Sequence, residues 1–178
     1  MNWYKLAKKG VSYSFSHVAV NFPKDIAKEI IDFGKTKIKD EDLYTEDKSM
    51  GRENEIHVTV KYGLHTTSLN KVQKVVENFG PIKIKLGEID LFTTNDDYDV
   101  VIIKVDSKDL KKLNKEISDN LKCTDTYKVY KAHCTIAYVK KGTADKLKGN
   151  KKFNGKELTF DEVVFNSKDE SSSKIKVV

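Results

Sequence analysis

Six residues recur in this chain. His57-Val58-Thr59-Val60-Lys61-Tyr62 and His133-Cys134-Thr135-Ile136-Ala137-Tyr138 both spell His, apolar, Thr, apolar, any residue, Tyr. Each copy lies in an alternating, β-branched setting that reads as a half-buried strand. Each also follows a strand and a helix. A fold for this chain therefore has to present two similar strands from two similar contexts, and the order of elements reads as a diverged internal duplication.

The strand period limits what the two copies can do. Residues two apart project from one face, so His57, Thr59 and Lys61 point together, as do His133, Thr135 and Ala137. On a regular strand Val58, Val60 and Tyr62, like Cys134, Ile136 and Tyr138, turn to the other face, which makes both tyrosines core residues. Imidazole titrates near pH 6.5, so one ring can remove a proton while a second donates one close to neutrality. A threonine hydroxyl two residues along can hold a phosphate oxygen. His57 and His133 are thus the candidate catalytic residues, and Thr59 and Thr135 the candidate phosphate-binding residues. A lone His-x-Thr on a strand carries little weight; two copies in matching contexts carry more. Neither motif contains a carboxylate that would hold magnesium, and a metal set of His57, His65 and His133 lacks close ligand spacing, so no metal or cofactor is expected. His17 and His65 read as structural or surface residues.

The remaining elements follow from periodicity and caps. Tyr13 to Phe22 reads as a strand, and a helix with Ile26, Ala27, Ile30, Ile31 and Phe33 on its apolar stripe ends near Gly34. Residues 35–55 are charged and unpatterned, a long loop or flap from which Arg52 could reach a phosphate. Ser68 caps a helix over Leu69, Val72, Val76 and Phe79. Strands run from Ile82 to Phe92, with Gly87 as a bulge, and from Tyr98 to Val105. Ser107 caps a helix over Leu110, Leu113 and Ile117. The second motif strand spans about Tyr127 to Val139, and final strands span Leu158 to Phe165 and Lys174 to Val178. The reading is a single bilobal α+β domain over 1–178, with repeats at roughly 12–80 and 98–149.

Composition narrows the partners. A formal charge of +6 carried by lysines spread along the chain, with Arg52 the one arginine, favours a small anionic substrate over duplex nucleic acid. No apolar run approaches the ~20 residues of a membrane span. Two cysteines make no disulfide framework and read as reduced thiols. The chain is therefore expected in the cytoplasm, with a nucleotide or oligonucleotide substrate, no membrane and no obligate protein partner. Lys61, Arg52, Tyr13 and Phe15 are candidate substrate contacts; Trp3, Tyr4 and Tyr44 are further aromatic candidates for base recognition.

At His57-Val58-Thr59-Val60 and His133-Cys134-Thr135-Ile136 the chain resembles the 2H phosphoesterase superfamily, which includes RNA 2′,5′-ligase-like proteins and cyclic phosphodiesterases. The resemblance implies a bilobal α/β fold with two antiparallel-sheet lobes and outer helices flanking a central cleft. It also implies metal-independent phosphodiester chemistry at a 2′ or 3′ ribose phosphate. The segments GRENEIHVTVKYGLHT and YKAHCTIAYV look like small phage-type members, some of which degrade the cyclic oligonucleotide signals of bacterial anti-phage immunity. That narrower likeness implies action in the host cytoplasm. A non-catalytic RNA- or nucleotide-binding module using the same cleft is the alternative.

Overall fold

The structure, a computed structural model, describes residues 14–46 and 50–178. Tyr13, Trp3 and Tyr4 lie outside the described residues. The order is β1 (Ser16–Asn21), α1 (Lys24–Lys37), β2 (His57–Leu64), α2 (Leu69–Val76), β3 (Ile82–Phe92), β4 (Tyr98–Asp106), α3 (Lys108–Asn120), β5 (His133–Lys140), β6 (Glu157–Phe160), β7 (Glu162–Asn166) and β8 (Ser172–Lys176), with short 3₁₀ turns at Asp40–Asp42 and Asp145–Leu147. This is the α+β fold that the resemblance implies. No helix among the described residues is long and apolar enough to cross a membrane.

The eight strands form one antiparallel sheet in the order β6-β3-β4-β5-β2-β1-β7-β8. It divides at β5 and β2, the two motif strands, into a half built of β6, β3, β4 and β5 and a half built of β2, β1, β7 and β8. The seam between them holds a single paired position, Val58 opposite Cys134. Beyond that pair the strands part, and each exposed edge is occupied by a loop from the opposite repeat. The segment after α1 lines β5: Tyr44 N–H donates to the Tyr138 carbonyl (3.0 Å), Tyr138 N–H to Gly51 (2.8 Å), and Glu53 N–H to Ile136 (2.9 Å). The segment after α3 lines β2: Thr124 N–H donates to the Gly63 carbonyl (2.9 Å) and His65 N–H to Lys122 (3.1 Å). The residues expected to form a flap at 35–55 are in this way largely fixed to β5.

The helices cross over as well. The side chains of Ile30 and Phe33 on α1, and of Leu110, Leu113 and Ile117 on α3, are buried in a core that includes Val58, Cys134 and Ile136. Gly34, expected to end α1, lies inside it instead, since the helix continues to Lys37. A Cβ at Gly34 would come within 2.9 Å of Ile136 Cγ2, so the missing side chain is what lets α1 approach β5. The caps differ in detail: Ser107 Oγ accepts from Leu110 N–H (3.0 Å) as expected, whereas Ser68 makes no side-chain cap bond and its own N–H donates to Thr66 Oγ1 (3.0 Å).

Two expected strands are redrawn. The second motif strand begins only at His133; of the residues before it, 122–124 pair with the end of β2, and the Ala132 carbonyl accepts from Val105 N–H of β4. The run from Leu158 to Phe165 splits at Asp161: β6 pairs with β3 in one half, and β7 pairs with β1 in the other.

Candidate active site

Each motif strand carries an extra residue directly after its threonine. In β2, Ala19 opposes Thr59 and Val18 opposes Lys61, which leaves Val60 unmatched. In β5, Ile102 opposes Thr135 and Val101 opposes Ala137, which leaves Ile136 unmatched. A bulge of this kind shifts side-chain parity by one residue. Lys61 therefore joins the core face, where it is buried and paired with Asp125. Tyr62 and Tyr138 join the face of the histidines, and the expectation that they belong to the opposite face is corrected. The two Tyr62 neighbours Phe15 (5.9 Å between ring centroids) and His17 (6.4 Å), and the Tyr138 neighbour Tyr98 (5.6 Å), stand on that same face.

Side chains from the second repeat secure the first bulge. Asn114 Nδ2 on α3 donates to the Val60 carbonyl (2.7 Å), and the Tyr130 hydroxyl donates to the Thr59 carbonyl (2.8 Å). Buried carbonyls displaced from a ladder need such donors. In β5 the corresponding Ile136 carbonyl is met by the backbone of Glu53.

The pair Val58–Cys134 faces the core, so the flanking residues His57, Thr59, His133 and Thr135 face away from it, each half-buried. Antiparallel register sets His57 level with Thr135 and His133 level with Thr59. The four are side by side in one sheet.

The two rings are held alike. His57 Nδ1 donates to the Glu55 carbonyl (2.8 Å) and His133 Nδ1 to the Lys131 carbonyl (2.7 Å). A carbonyl oxygen only accepts, so each neutral ring carries its proton on Nδ1 and has its lone pair on Nε2. Loss of hydration pushes His57 down to about 4, a shift opposed by the Glu55 carbonyl and reinforced by His133 nearby. Burial likewise lowers His133, against the Lys131 carbonyl. Near pH 7 both rings are neutral in the unliganded protein, and a proton on one disfavours a proton on the other.

Other residues around the quartet went unread in the sequence. Phe92 packs edge-on against His133 (4.7 Å), and Lys104, level with His133 on β4, is paired with Glu88 (3.0 Å) and Asp90 (2.9 Å). His17 is buried on the same face, and its pKa is pushed down to about 3 by desolvation and then by His57. Strand parity in β4 could have indicated Lys104 and Tyr98; nothing local marks Tyr130. Among the candidate substrate contacts, Phe15 reaches the site face. Arg52 does not: its guanidinium donates to the carbonyls of Gly34 (3.0 Å) and Ile38 (2.6 Å) and to Asp40 (2.6 Å), closing the C-terminal end of α1. Among the described residues no group of three or more His, Cys, Asp or Glu is arranged to hold a metal ion.

Residues 14–174 match the family described as anti-CBASS protein Acb1. The chain belongs to this family. The match agrees with the likeness to anti-phage-immunity members read from the motif segments. No curated protein matches the chain. Solved structures share its fold: a phosphoesterase (12% identity, TM-score 0.55, covering 92% of this chain and 95% of that one), Kluyveromyces marxianus Usb1 with uridine monophosphate (8%, 0.58, 94% and 100%), and E. coli LigT in apo form (11%, 0.54, 94% and 96%). At such identities these neighbours show the fold of the Acb1 chain and no more.

Proposed function

We propose that this chain is a phosphodiesterase that removes a cyclic oligonucleotide signal by general acid–base catalysis between His57 and His133. The observation that carries the reading is the quartet itself: two imidazoles, each with Nδ1 tied to the carbonyl two residues before it, alternating with two threonine hydroxyls around the pair Val58–Cys134. The family match supports an anti-CBASS role, and the neighbours with a phosphoesterase fold support the reaction class.

In this reading Thr59 and Thr135 donate to the non-bridging oxygens of the scissile phosphate. One Nε2 takes the proton of a ribose 2′-hydroxyl or a water, the oxygen attacks phosphorus, and the other histidine, protonated, gives its proton to the leaving ribose oxygen. Attack by the 2′-hydroxyl leaves a 2′,3′-cyclic phosphate; attack by water leaves a monoester. An arriving phosphodiester anion favours the imidazolium form, so on substrate binding one ring takes up from solvent the proton that the unliganded rings hold poorly. Phe15 and Tyr62 on one flank, and Phe92 and Tyr98 on the other, are placed to stack on bases. The uridine monophosphate held by Usb1 supports a nucleotide ligand. We place the chain in the cytoplasm, where such signals act, working as a single domain.

The test is a panel of cyclic dinucleotides, cyclic trinucleotides, 2′,5′-oligoadenylates and a 2′,3′-cyclic mononucleotide, incubated with and without EDTA and analysed by mass. The expected result is linearisation of a cyclic oligonucleotide at an undiminished rate in EDTA. Tight binding without any product would replace this reading with a non-catalytic nucleotide-binding module.

A further inference from the structure

Away from the quartet, the outer side of the molecule holds a groove of about 630 Å³ between α2 and the end of α3. Its lining includes Lys71 and Lys74 from α2, Asn120 and Lys122 from the end of α3, and His65 just past β2. His57 and His65 stand at opposite ends of β2, roughly 25 Å apart at ~3.3 Å per residue, so the groove lies away from the quartet, although its His65 wall packs on Phe15 (5.2 Å) at the far edge of the site face.

The charge of the groove is uncompensated. Of the 28 described lysines twelve lie in ion pairs, among them Lys111 with Asp106 and Lys115 with Asp119 on α3 itself, and the three of the groove are among the sixteen that do not. Among the described residues no carboxylate lies within ion-pair distance of Lys71, Lys74 or Lys122. Three ammonium groups around one concavity repel each other and attract an anion of more than one charge. The groove also contains apolar surface from Val75 and Leu121. Its volume falls within the ~300–1,000 Å³ usual for small-molecule sites. Three cations, an amide and an apolar wall fit a ligand with several phosphates and a flat, weakly polar end.

We propose that this groove is a second ligand site, which takes a nucleoside polyphosphate independently of the catalytic face. His65 forms part of its wall and is fixed by Nε2 to Thr124 Oγ1 (2.7 Å) and by its N–H to the Lys122 carbonyl (3.1 Å), so the wall is built before a ligand arrives.

Isothermal titration of the full chain with ATP tests this. Saturable binding is expected, weakened at least ~10-fold by Lys71→Glu with Lys74→Glu and unchanged by Thr59→Val with Thr135→Val. Turnover without ATP is expected to be the same in the Lys71→Glu/Lys74→Glu variant as in the wild type. Any of several results overturns the site: no measurable binding, binding lost in the threonine variant but kept in the lysine variant, or equal weakening by Lys146→Glu with Lys151→Glu, a pair outside the groove. Pyrophosphate binding as tightly as ATP would overturn the nucleotide assignment. The readout is binding, so each failure leaves the phosphodiesterase reading where its own product analysis puts it.

Discussion

The two motif strands solve one problem with different materials. Both β2 and β5 carry a bulge after the threonine, both turn the following tyrosine to the histidine face, and both are braced from the opposite repeat. In β2 the bulge carbonyl depends on a side chain, Asn114; in β5 it depends on the backbone N–H of Glu53. Past the bulge, β2 has buried Lys61 paired with Asp125, and β5 has Ala137. Tyr62 is half-buried, whereas Tyr138 is 5% exposed beneath Tyr98. The difference teaches that both strands are packed on the core face and that they part at the tyrosine, closed in on the β5 side and partly open on the β2 side.

That contrast can be broken experimentally. The histidines should not differ: His57→Ala and His133→Ala are each expected to lower kcat by about 10²–10⁴ while leaving thermal unfolding in place, and a variant that keeps wild-type turnover removes that histidine from the mechanism. The tyrosines should differ most. Tyr138→Ala is expected to destabilise the fold by about 3–5 kcal/mol in urea denaturation, as loss of a large buried side chain does. Tyr62→Ala should instead act on KM, roughly ~10-fold, with little change in urea midpoint. Equal stability losses at the two positions would erase the asymmetry.

Asn114→Ala leaves the Val60 carbonyl without its donor, and about 1–3 kcal/mol of stability should be lost. Its kcat/KM should fall as well, because Thr59 and Tyr62 sit on either side of that bulge. Stability that falls while kcat/KM holds would show that the bulge supports the fold and not the site.

The effects of pH are more gradual. Both motif histidines are lowered, so the form with one proton shared between them grows as pH falls, and on the proposed mechanism kcat/KM should rise from pH 8 toward an optimum below 6.5. Stability runs the other way. His17 and His57, at about 3 and about 4 in the fold, bind protons more readily when unfolded. Their contribution is complete above about 6.5 and is lost as pH falls toward those values, by up to about 1.4 kcal/mol per pH unit for each group. His17→Leu should flatten that slope in denaturation curves recorded between pH 6.5 and 4.

Much of this was legible from the residues. The His-x-Thr pair, the helix stripes, the Ser107 cap and the β3 bulge near Gly87 are local signals, and the structure places each where its pattern predicts. The bulges at Val60 and Ile136 were not legible, because neither is a glycine and register depends on partner strands far away in sequence. One trace did exist: a tyrosine at the same odd offset from both histidines is hard to explain on a straight strand. Gly34 failed as a stop signal because its role is contact with Ile136, a tertiary fact. Arg52 was misplaced for a similar reason, since its partners are the last carbonyls of α1. The continuous-looking run through Asp161 hid a change of sheet half that periodicity does not report.

The return of β7 to β1 has a consequence for synthesis. β1 leaves the ribosome well before its outer neighbour, which begins only at Glu162. Until then the nascent chain carries an open β edge beside the strand of His57, a site for mispairing that a chaperone would have to cover. The quartet is therefore complete in the nascent chain before the sheet that holds it, and a product of translation truncated before Glu162 would contain all four residues without a finished sheet to hold them.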